Sequence, residues 1–222
     1  MKGLSFSEPM VKAWLAGNKT VTRRLINPQP RDLCSHSYQH PTGWWTFGDN
    51  TGRIWKPRYL PGETVYIKET WAVAAWRTGQ VDLYYSDEKK PVAKNAPAQF
   101  ITSLDADEHK WRPGKSKSPQ YDPFRIRSPH FMPEWAARSH ALIVSVRAER
   151  VQEITEEDAI REGIPDFRKL QSAAPNCDIA EAQSRLQWPQ RMFQALWESL
   201  HPGSWDRNDW VWRIELEKTE GG

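Results

Sequence analysis

The chain opens with a pattern that predicts a strand, a helix and a second strand. Residues 2–6, "KGLSF", alternate enough for a short strand. Ser7 can cap a helix over residues 8–16, "EPMVKAWLA", whose apolar side chains fall on one face. Gly17 is typical of a helix end. The run "KTVTRRLI", residues 19–26, therefore predicts the strand that follows this helix.

Two later segments also alternate in the manner of strands. Residues 64–70, "TVYIKET", predict one strand, with Val65 and Ile67 on one face and Tyr66 and Lys68 on the other. A second segment, "HALIVSVRAERVQEI", carries the strongest strand pattern in the chain. Its alternation predicts an inner face of three residues, namely Leu142, Val144 and Val146.

The last quarter of the chain predicts two helices and a closing strand. Thr155 caps "TEEDAIREG", which has acidic residues in its first turn and ends at Gly163. Residues 188–203, "WPQRMFQALWESLHPG", predict another helix, ended by its Pro-Gly pair. Residues 208–218, "NDWVWRIELEK", predict the final strand. The apolar face of the second helix consists of Phe193, Leu196, Trp197 and Leu200.

The remaining segments predict long connections. Residues 27–59 are rich in Pro, Gly, Ser, His and Trp, which indicates a long loop with one hairpin around "GWWTFGDNTGRIW". Residues 86–120 are the least structured by composition, which favours a surface insertion over a functional lid. Short strands with few helices predict an α+β fold around a small, partly closed β-sheet, in a single domain over residues 1–222.

Composition narrows the class of protein. The 222 residues carry a net charge of +3, from 31 basic and 28 acidic side chains. This is too mild for a protein that coats a genome, so any nucleic-acid role must come from a local patch. Cys34 and Cys177 fit no zinc or redox spacing; free thiols are favoured, and a disulfide stays open. With no run of ~20 apolar residues and no signal peptide, a soluble cytoplasmic protein that does not enter the membrane is expected.

The sequence "AGNKTVTRR", residues 16–24, is the first candidate for chemistry. A lysine acts as a base near neutral pH only if its pKa falls from about 10.4, through burial or nearby positive charge. Arg23 and Arg24 could supply that charge to Lys19. Cooperation of Lys19 with Thr22 requires the strand to begin after Lys19. The alternative is that these cations bond the last carbonyls of the helix or face water.

Three more charged residues are candidates on weaker grounds. Glu162 lies at the unfavourable end of the helix dipole, so it needs either a cationic partner or exposure to solvent. Lys68 and Glu69 point to opposite faces of their strand, so one of them could face the same cavity as Lys19. The alternative is that they are edge charges that discourage pairing between sheets.

Aromatic and metal-binding signals are ambiguous or missing. Four tryptophans in loops among basic residues could stack on bases or pin the loops to the body: Trp44, Trp45, Trp55 and Trp111. The six histidines form no HxH or HExxH motif and no Cys/His cluster. There is no GxGxxG or P-loop either. No metal site and no cofactor are therefore expected.

Taken together, four segments resemble the ASCH family, a branch of the PUA-like superfold: "LSFSEPMVKAWLAGNKTVTRR", "YLPGETVYIKETWAV", "RVQEITEEDAIREGI" and "WVWRIELE". The layout is most similar to long bacterial and phage members, which also carry pieces like "PHFMPEWAAR" and "LWESLHPGSWDRNDWVW". The resemblance spans nearly the whole chain, apart from residues 31–56 and 86–120. It implies a small mixed β-barrel with flanking helices, long loop insertions at about 27–59 and 86–120, and a cleft for RNA, nucleotides or nucleosides.

The resemblance also implies an activity. Compact relatives include amidohydrolases that remove the acetyl group of N4-acetylcytidine, and other relatives are described as ribonucleases. The family's lysine, threonine and glutamate fall on Lys19, Thr22 and Glu162. Thr22 would be the nucleophile, Lys19 its base, and Glu162 would orient Lys19 or pass the proton to the leaving amine. Arg23 or Arg24 would hold a phosphate or an oxyanion. The alternative is a module that binds RNA or a modified base without chemistry.

Overall fold

The computed structural model describes residues 1–30, 37–39, 45–48, 53–86, 88, 90–106, 126–166 and 188–219. In chain order the strands of this part are β1 (Lys2–Ser5), β2 (Val21–Leu25), β3 (Ser37–Gln39), β4 (Trp45–Gly48), β5 (Ile54–Trp55), β6 (Thr64–Lys68), β7 (Trp71–Arg77), β8 (Gln80–Tyr85), β9 (Val92–Asn95), β10 (His140–Arg150) and β11 (Trp210–Lys218). The α-helices are α1 (Glu8–Leu15), α2 (Ala98–Ala106), α3 (Glu156–Arg161) and α4 (Trp188–Leu200). The fold is mixed α+β with few helices, as predicted.

The chain divides into two compact units. The first comprises residues 1–12, 64–141 and 218–222, and the second comprises residues 13–63 and 142–217. The prediction of one domain with surface insertions stays a prediction. None of the described helices is both long and apolar enough to cross a membrane.

The first unit contains a parallel strand pair and an antiparallel meander. Strands β1 and β6 pair in parallel, with Leu4 opposite Ile67. Strands β7, β8 and β9 follow one another as antiparallel neighbours. Leu83 of β8, Leu104 of α2 and Met132 belong to one buried cluster that covers the meander. Burying each such side chain stabilises the fold by roughly 1.5–3 kcal/mol.

The second unit contains the three predicted catalytic residues, Lys19, Thr22 and Glu162. Strands β10, β11 and β2 are neighbours in that order, and β2 and β11 are antiparallel. Their register sets Arg23 opposite Arg213 and Thr22 opposite Ile214. Helices α3 and α4 pack together through a cluster that includes Phe193. A separate antiparallel sheet contains β3, β4 and β5, which confirms the predicted hairpin.

The local signals at the start of the chain predicted the structure well. Helix α1 begins just after Ser7, and Gly17 adopts a φ of +77°, the left-handed conformation of a helix-ending glycine. Strand β2 begins at Val21, after Lys19.

Of the loop tryptophans, Trp55 is buried and donates a hydrogen bond to the carbonyl of Pro28, at 2.8 Å. It therefore pins its loop. Trp44, Trp111, Cys34 and Cys177 lie outside the described residues, and so does the side chain of Trp45.

The structure differs from the sequence prediction at two apolar faces. In β10 the buried apolar residues are Ala141, Ile143 and Val146, whereas Val144 is 46% exposed. The prediction of Val144 on the inner face was wrong because both faces of this strand carry apolar side chains, so alternation alone could not select one. In α4 Leu200 is 64% exposed, since it is the last residue of the helix and lies beyond the part that packs.

Part of the segment that composition indicated as unstructured is ordered. Residues 92–95 form β9, which pairs with β8, and residues 98–106 form α2. Leu104 of this helix is fully buried, and the ring of Phe100 lies 4.7 Å from that of Trp135. A few apolar residues in a polar segment were enough to attach it to the core. Residues 107–120 lie outside the described part.

Replacing Gly17 with alanine should lower the free energy of unfolding by about 1–2 kcal/mol, because an L side chain is strained at positive φ. No heavy atom lies within 4 Å of an added Cβ, so strain alone is tested. Gly17→Asn should cost less, since asparagine tolerates this conformation. Urea unfolding followed by tryptophan fluorescence measures both. Gly48→Ala, where φ is not positive and the nearest atom is 3.6 Å away, is the control. Equal stability of Gly17→Ala and wild type would contradict the expectation.

Candidate functional site

The ends of α1 and α3 bring two distant parts of the chain together. The amide of Lys19 donates to the carbonyl of Ala13 at 3.2 Å, just past the end of α1. The amide of Thr20 donates to the carbonyl of Arg161 at 2.8 Å, at the end of α3. Lys19 and Glu162 form an isolated antiparallel bridge between these two turns. The backbone therefore fixes Lys19 beside Glu162 before their side chains interact.

The ammonium of Lys19 is buried and fully hydrogen-bonded. It donates to the carbonyls of Val21 (2.8 Å) and Glu162 (2.7 Å) and to the Glu162 Oε2 atom (2.7 Å). Its residue is 1% exposed. Burial lowers the pKa of Lys19, Glu162 opposes that shift, and Arg24 and Arg23 add to it. Each of the three ammonium protons thus has an acceptor, while the surroundings make the charge costly.

Glu162 lies at the C-terminal end of α3, where the helix dipole disfavours a negative charge, and two cations compensate for this. It is the C-cap residue of α3, and its amide donates to the carbonyl of Asp158. Its Oε2 atom accepts from Lys19, and its Oε1 atom accepts from Nη1 of Arg23 at 3.2 Å. Glu162 is buried. Of the two explanations that the sequence left open, cationic pairing holds and solvent exposure does not.

Arg23 is the central cation of this region. Its Nε atom donates to Glu149 at 2.7 Å, and its Nη2 atom donates to Asp158 at 2.8 Å. With the contact to Glu162, one guanidinium joins three carboxylates from β10, α3 and the end of α3. Its Cζ atom lies 5.7 Å from the ring centroid of Phe193, on α4. The donors of Arg23 are therefore directed at protein carboxylates.

Arg213 completes the arrangement from the neighbouring strand. Its Nε and Nη2 atoms donate to the two oxygens of Asp158, at 2.9 and 2.8 Å, a bidentate pair. Burial favours the neutral form of Asp158, but hydrogen bonds from Arg213 and Arg23 outweigh it and hold its pKa below the usual range. The amide of Asp158 also donates to the hydroxyl of Thr155, which confirms the predicted helix cap.

Six buried residues thus form one electrically balanced group, which we call the ionic cluster. None of their side chains is more than about a tenth exposed, and three cations face three carboxylates. A buried ion that lacks a partner costs several kcal/mol, so this balance is what lets the residues lie inside the unit. The members are Lys19, Arg23, Glu149, Asp158, Glu162 and Arg213.

Half-buried groups lie next to the ionic cluster. Arg24 donates from Nη1 to the carbonyl of Arg23 at 3.1 Å. Burial lowers the pKa of Arg24, while Glu162 and Tyr59 raise it. Burial also lowers the pKa of His201, and Arg24 lowers it further. His201 is a neighbour of Arg24 that sequence reasoning did not single out.

Thr22, whose hydroxyl is the predicted nucleophile, lies in strand β2. Thr22 is 1% exposed, and its side chain does not accept from the Lys19 ammonium. The adjacent carbonyl, of Val21, accepts from the Lys19 ammonium. Thr20, by contrast, accepts a hydrogen bond from Arg161 at 3.0 Å. Thr22 is therefore close in sequence to the Lys19 contacts but is not among the three acceptors of that ammonium.

Lys68 and Glu69 lie in the first unit, in a separate set of contacts. The ammonium of Lys68 donates to the carbonyl of His130. Glu69 is 2% exposed and accepts two hydrogen bonds from Arg138, at 2.8 and 2.7 Å. Arg138 also contacts Glu88 at 2.6 Å. The roles predicted for Lys68 and Glu69 in a shared cavity stay predictions.

Three members of the ionic cluster were not singled out by sequence reasoning. Glu149 and Arg213 lie in strands, where no local sequence pattern distinguishes a buried charged residue from an exposed one. Asp158 was recognised only as an acidic residue in the first turn of α3.

Within the described residues, no group of three or more His, Cys, Asp and Glu side chains is placed to hold a metal ion. No protein-family model, curated protein or solved structure matches this chain.

Replacing Asp158 with asparagine should lower the free energy of unfolding by about 3–5 kcal/mol, because it leaves Arg23 and Arg213 buried with too few carboxylates. Urea unfolding measures it. The matched control is Asp82→Asn, which breaks a more exposed pair with Arg77 (3.4 Å) and should cost less than about 1 kcal/mol. If the two variants lose equal stability, the ionic cluster does not hold the unit together.

Stability should also fall steeply in acid. The pKa values of Asp158 and of Glu215 are lowered in the folded chain, that of Glu215 chiefly by its hydrogen bond from Arg161. The unfolded chain therefore binds more protons below the ordinary carboxyl pKa of about 4. Their stabilising contribution is complete above that value and is lost as pH falls towards the folded values. Urea unfolding from pH 6 to the acid range should show this loss, and Asp158→Asn should flatten it.

Proposed function

We propose that this chain is an ASCH-type protein with a PUA-like barrel that binds RNA or a modified nucleoside or nucleotide and hydrolyses it. The reaction is that of an amidohydrolase acting on N4-acylated cytidine. The observation that carries the proposal is the buried contact between Lys19 and Glu162, at 2.7 Å across 143 residues of chain. These are the lysine and glutamate that the resemblance to the family implies.

The proposed reaction uses three side chains. The Thr22 hydroxyl adds to the acyl carbonyl and passes its proton to the neutral amine of Lys19. Collapse of the tetrahedral intermediate breaks the C–N bond, and the leaving cytidine amine takes a proton from Lys19, which Glu162 orients. Water then hydrolyses the acyl-threonine, which releases the carboxylic acid and restores the hydroxyl.

The electrostatics of the second unit support a lysine base. Burial and the nearby arginines lower the pKa of Lys19, which increases the neutral fraction at a given pH. Glu162 divides its charge between Lys19 and Arg23, so it stabilises the ammonium less than a dedicated partner would. We assign the substrate's phosphate or oxyanion to Arg24, a half-buried cation beside the ionic cluster.

A second candidate function is a non-catalytic module that recognises RNA or a modified base. It is favoured by the saturation of Lys19, whose three protons all have acceptors in the described structure. An ammonium whose protons all bond the protein is poorly placed to transfer one, which fits a structural role for Lys19 beneath a binding surface. Tight, salt-dependent binding without turnover would support this candidate. A pH–rate profile with a rising limb below about 10 would support the hydrolase.

Thr22 offers the sharpest test of the hydrolase. Thr22→Val has nearly the same shape but no nucleophile, and it should reduce the hydrolysis of N4-acetylcytidine at least ~100-fold. Thr22→Ser keeps the hydroxyl and should retain measurable turnover. Liquid chromatography of cytidine release measures both. A wild-type rate for Thr22→Val would contradict the proposal.

Lys19→Met and Glu162→Gln should also abolish turnover, because they remove the base and the group that orients it. Both changes disturb a buried pair, so circular dichroism and a thermal melt must show that each variant is folded at the assay temperature. Glu8→Gln, which removes an exposed pair with Lys12 at 2.7 Å, is the control and should keep the full rate. Folded variants with wild-type rates would contradict the roles assigned to both residues.

A further inference from the structure

A pocket in the second unit lies apart from the ionic cluster. Its volume is about 320 Å³, within the range of about 300–1,000 Å³ that is usual for small-ligand sites. Three side-chain amides, one guanidinium, one indole ring and one aliphatic side chain form its wall. We call it the glutamine pocket, and its lining residues are Gln152, Ile154, Gln190, Arg191, Gln194 and Trp205.

The wall of the glutamine pocket is held in place by hydrogen bonds. Glu198 accepts from the amides of Gly203 (2.8 Å) and Trp205 (2.7 Å), which fixes the turn after α4. Gln152 donates from Nε2 to the carbonyl of Trp205, at 2.7 Å. Gln190 donates from Nε2 to the carbonyl of Ile154, also at 2.7 Å. A site built in advance in this way loses little entropy when it binds a ligand.

Several polar groups of the pocket have no partner within the described part of the protein. The whole amide of Gln194 and the indole N–H of Trp205 make no hydrogen bond with a described residue. The side-chain carbonyls of Gln152 and Gln190 accept none there either. A side-chain amide offers a donor and an acceptor side by side, the pattern that pairs with the edge of a nucleobase, adenine above all.

The indole of Trp205 supplies the stacking surface. It is partly buried, and its ring centroid lies 6.4 Å from that of Phe193, with the two ring planes tilted by 59°. Bases stack on such rings with little dependence on sequence. The cation at Arg191 lies on the same wall and suits the phosphate of a nucleotide. Phe193 also contacts Arg23 of the ionic cluster, so a single ring separates the two sites.

We propose that the glutamine pocket binds an unpaired nucleobase of an RNA strand, stacked on Trp205 and read by the amide of Gln194. An oligonucleotide that carries the modified nucleoside is then a better substrate than the free nucleoside. This inference rests on the proposed function for the identity of the strand, whose modified nucleoside enters at Lys19. Base recognition in the pocket itself depends only on the geometry of its wall.

Fluorescence anisotropy with two labelled single-stranded probes tests this inference. One probe is an adenosine RNA hexamer, and the other is an abasic hexamer with the same phosphates. Wild type should bind the adenosine hexamer at least tenfold more tightly than the abasic one. Trp205→Leu and Gln194→Leu should each weaken binding of the adenosine hexamer about tenfold and leave the abasic hexamer unchanged. Gln99→Leu, at an exposed helical glutamine of the first unit, should match wild type.

Two outcomes separate this inference from the proposed function. If Trp205→Leu and Gln194→Leu both bind the adenosine hexamer as wild type does, the pocket does not bind a base. Gln194 is a half-buried surface residue of α4, so its variant should fold even if Trp205→Leu does not. If Thr22→Val keeps wild-type turnover while Gln194→Leu loses affinity for the hexamer, the proposed hydrolase fails and base binding in the pocket stands.

Discussion

The second unit depends on one electrostatic constraint, which is that a guanidinium buried at Arg23 must be neutralised where it lies. Three carboxylates do so, and they come from β10, from the body of α3 and from its last turn. Because each unpaired buried ion would cost several kcal/mol, α3 has little freedom to shift along β2. The backbone bridge between Lys19 and Glu162 sets these two residues side by side, and the neutralisation of Arg23 holds the second oxygen of Glu162 in place. Packing at Phe193 adds to this restraint without directing it.

The same constraint affects the electrostatic environment of Lys19. A carboxylate that served Lys19 alone would hold the ammonium strongly and keep it protonated. Glu162 instead gives one oxygen to Lys19 and the other to Arg23. Glu162 therefore raises the pKa of Lys19 less than a dedicated carboxylate would, and burial lowers that pKa overall. One carboxylate therefore links the stability of the ionic cluster to the charge state of Lys19.

The sequence predicted what local interactions determine. Thr155 as a helix cap and Gly17 as a helix end follow from backbone groups within a few residues, and both are seen. Lys19 and Glu162 were named together through the resemblance to a family, and the structure places them in contact. Arg213 was not identified, because its role depends on a strand register and on a helix more than fifty residues away. Val144 was misplaced for a related reason, since tertiary packing selects between two apolar faces.

The balance of the ionic cluster also limits how a ligand can be recognised. A neutral group of buried charges attracts a phosphate only weakly at a distance, so selectivity for an anion must come from cations outside it. Arg24 and Arg191 lie outside the cluster, Arg24 beside Arg23 on β2 and Arg191 on the wall of the glutamine pocket. If the proposed ligand is an RNA strand, its several phosphates gain more from cations of this kind than the single phosphate of a nucleotide does.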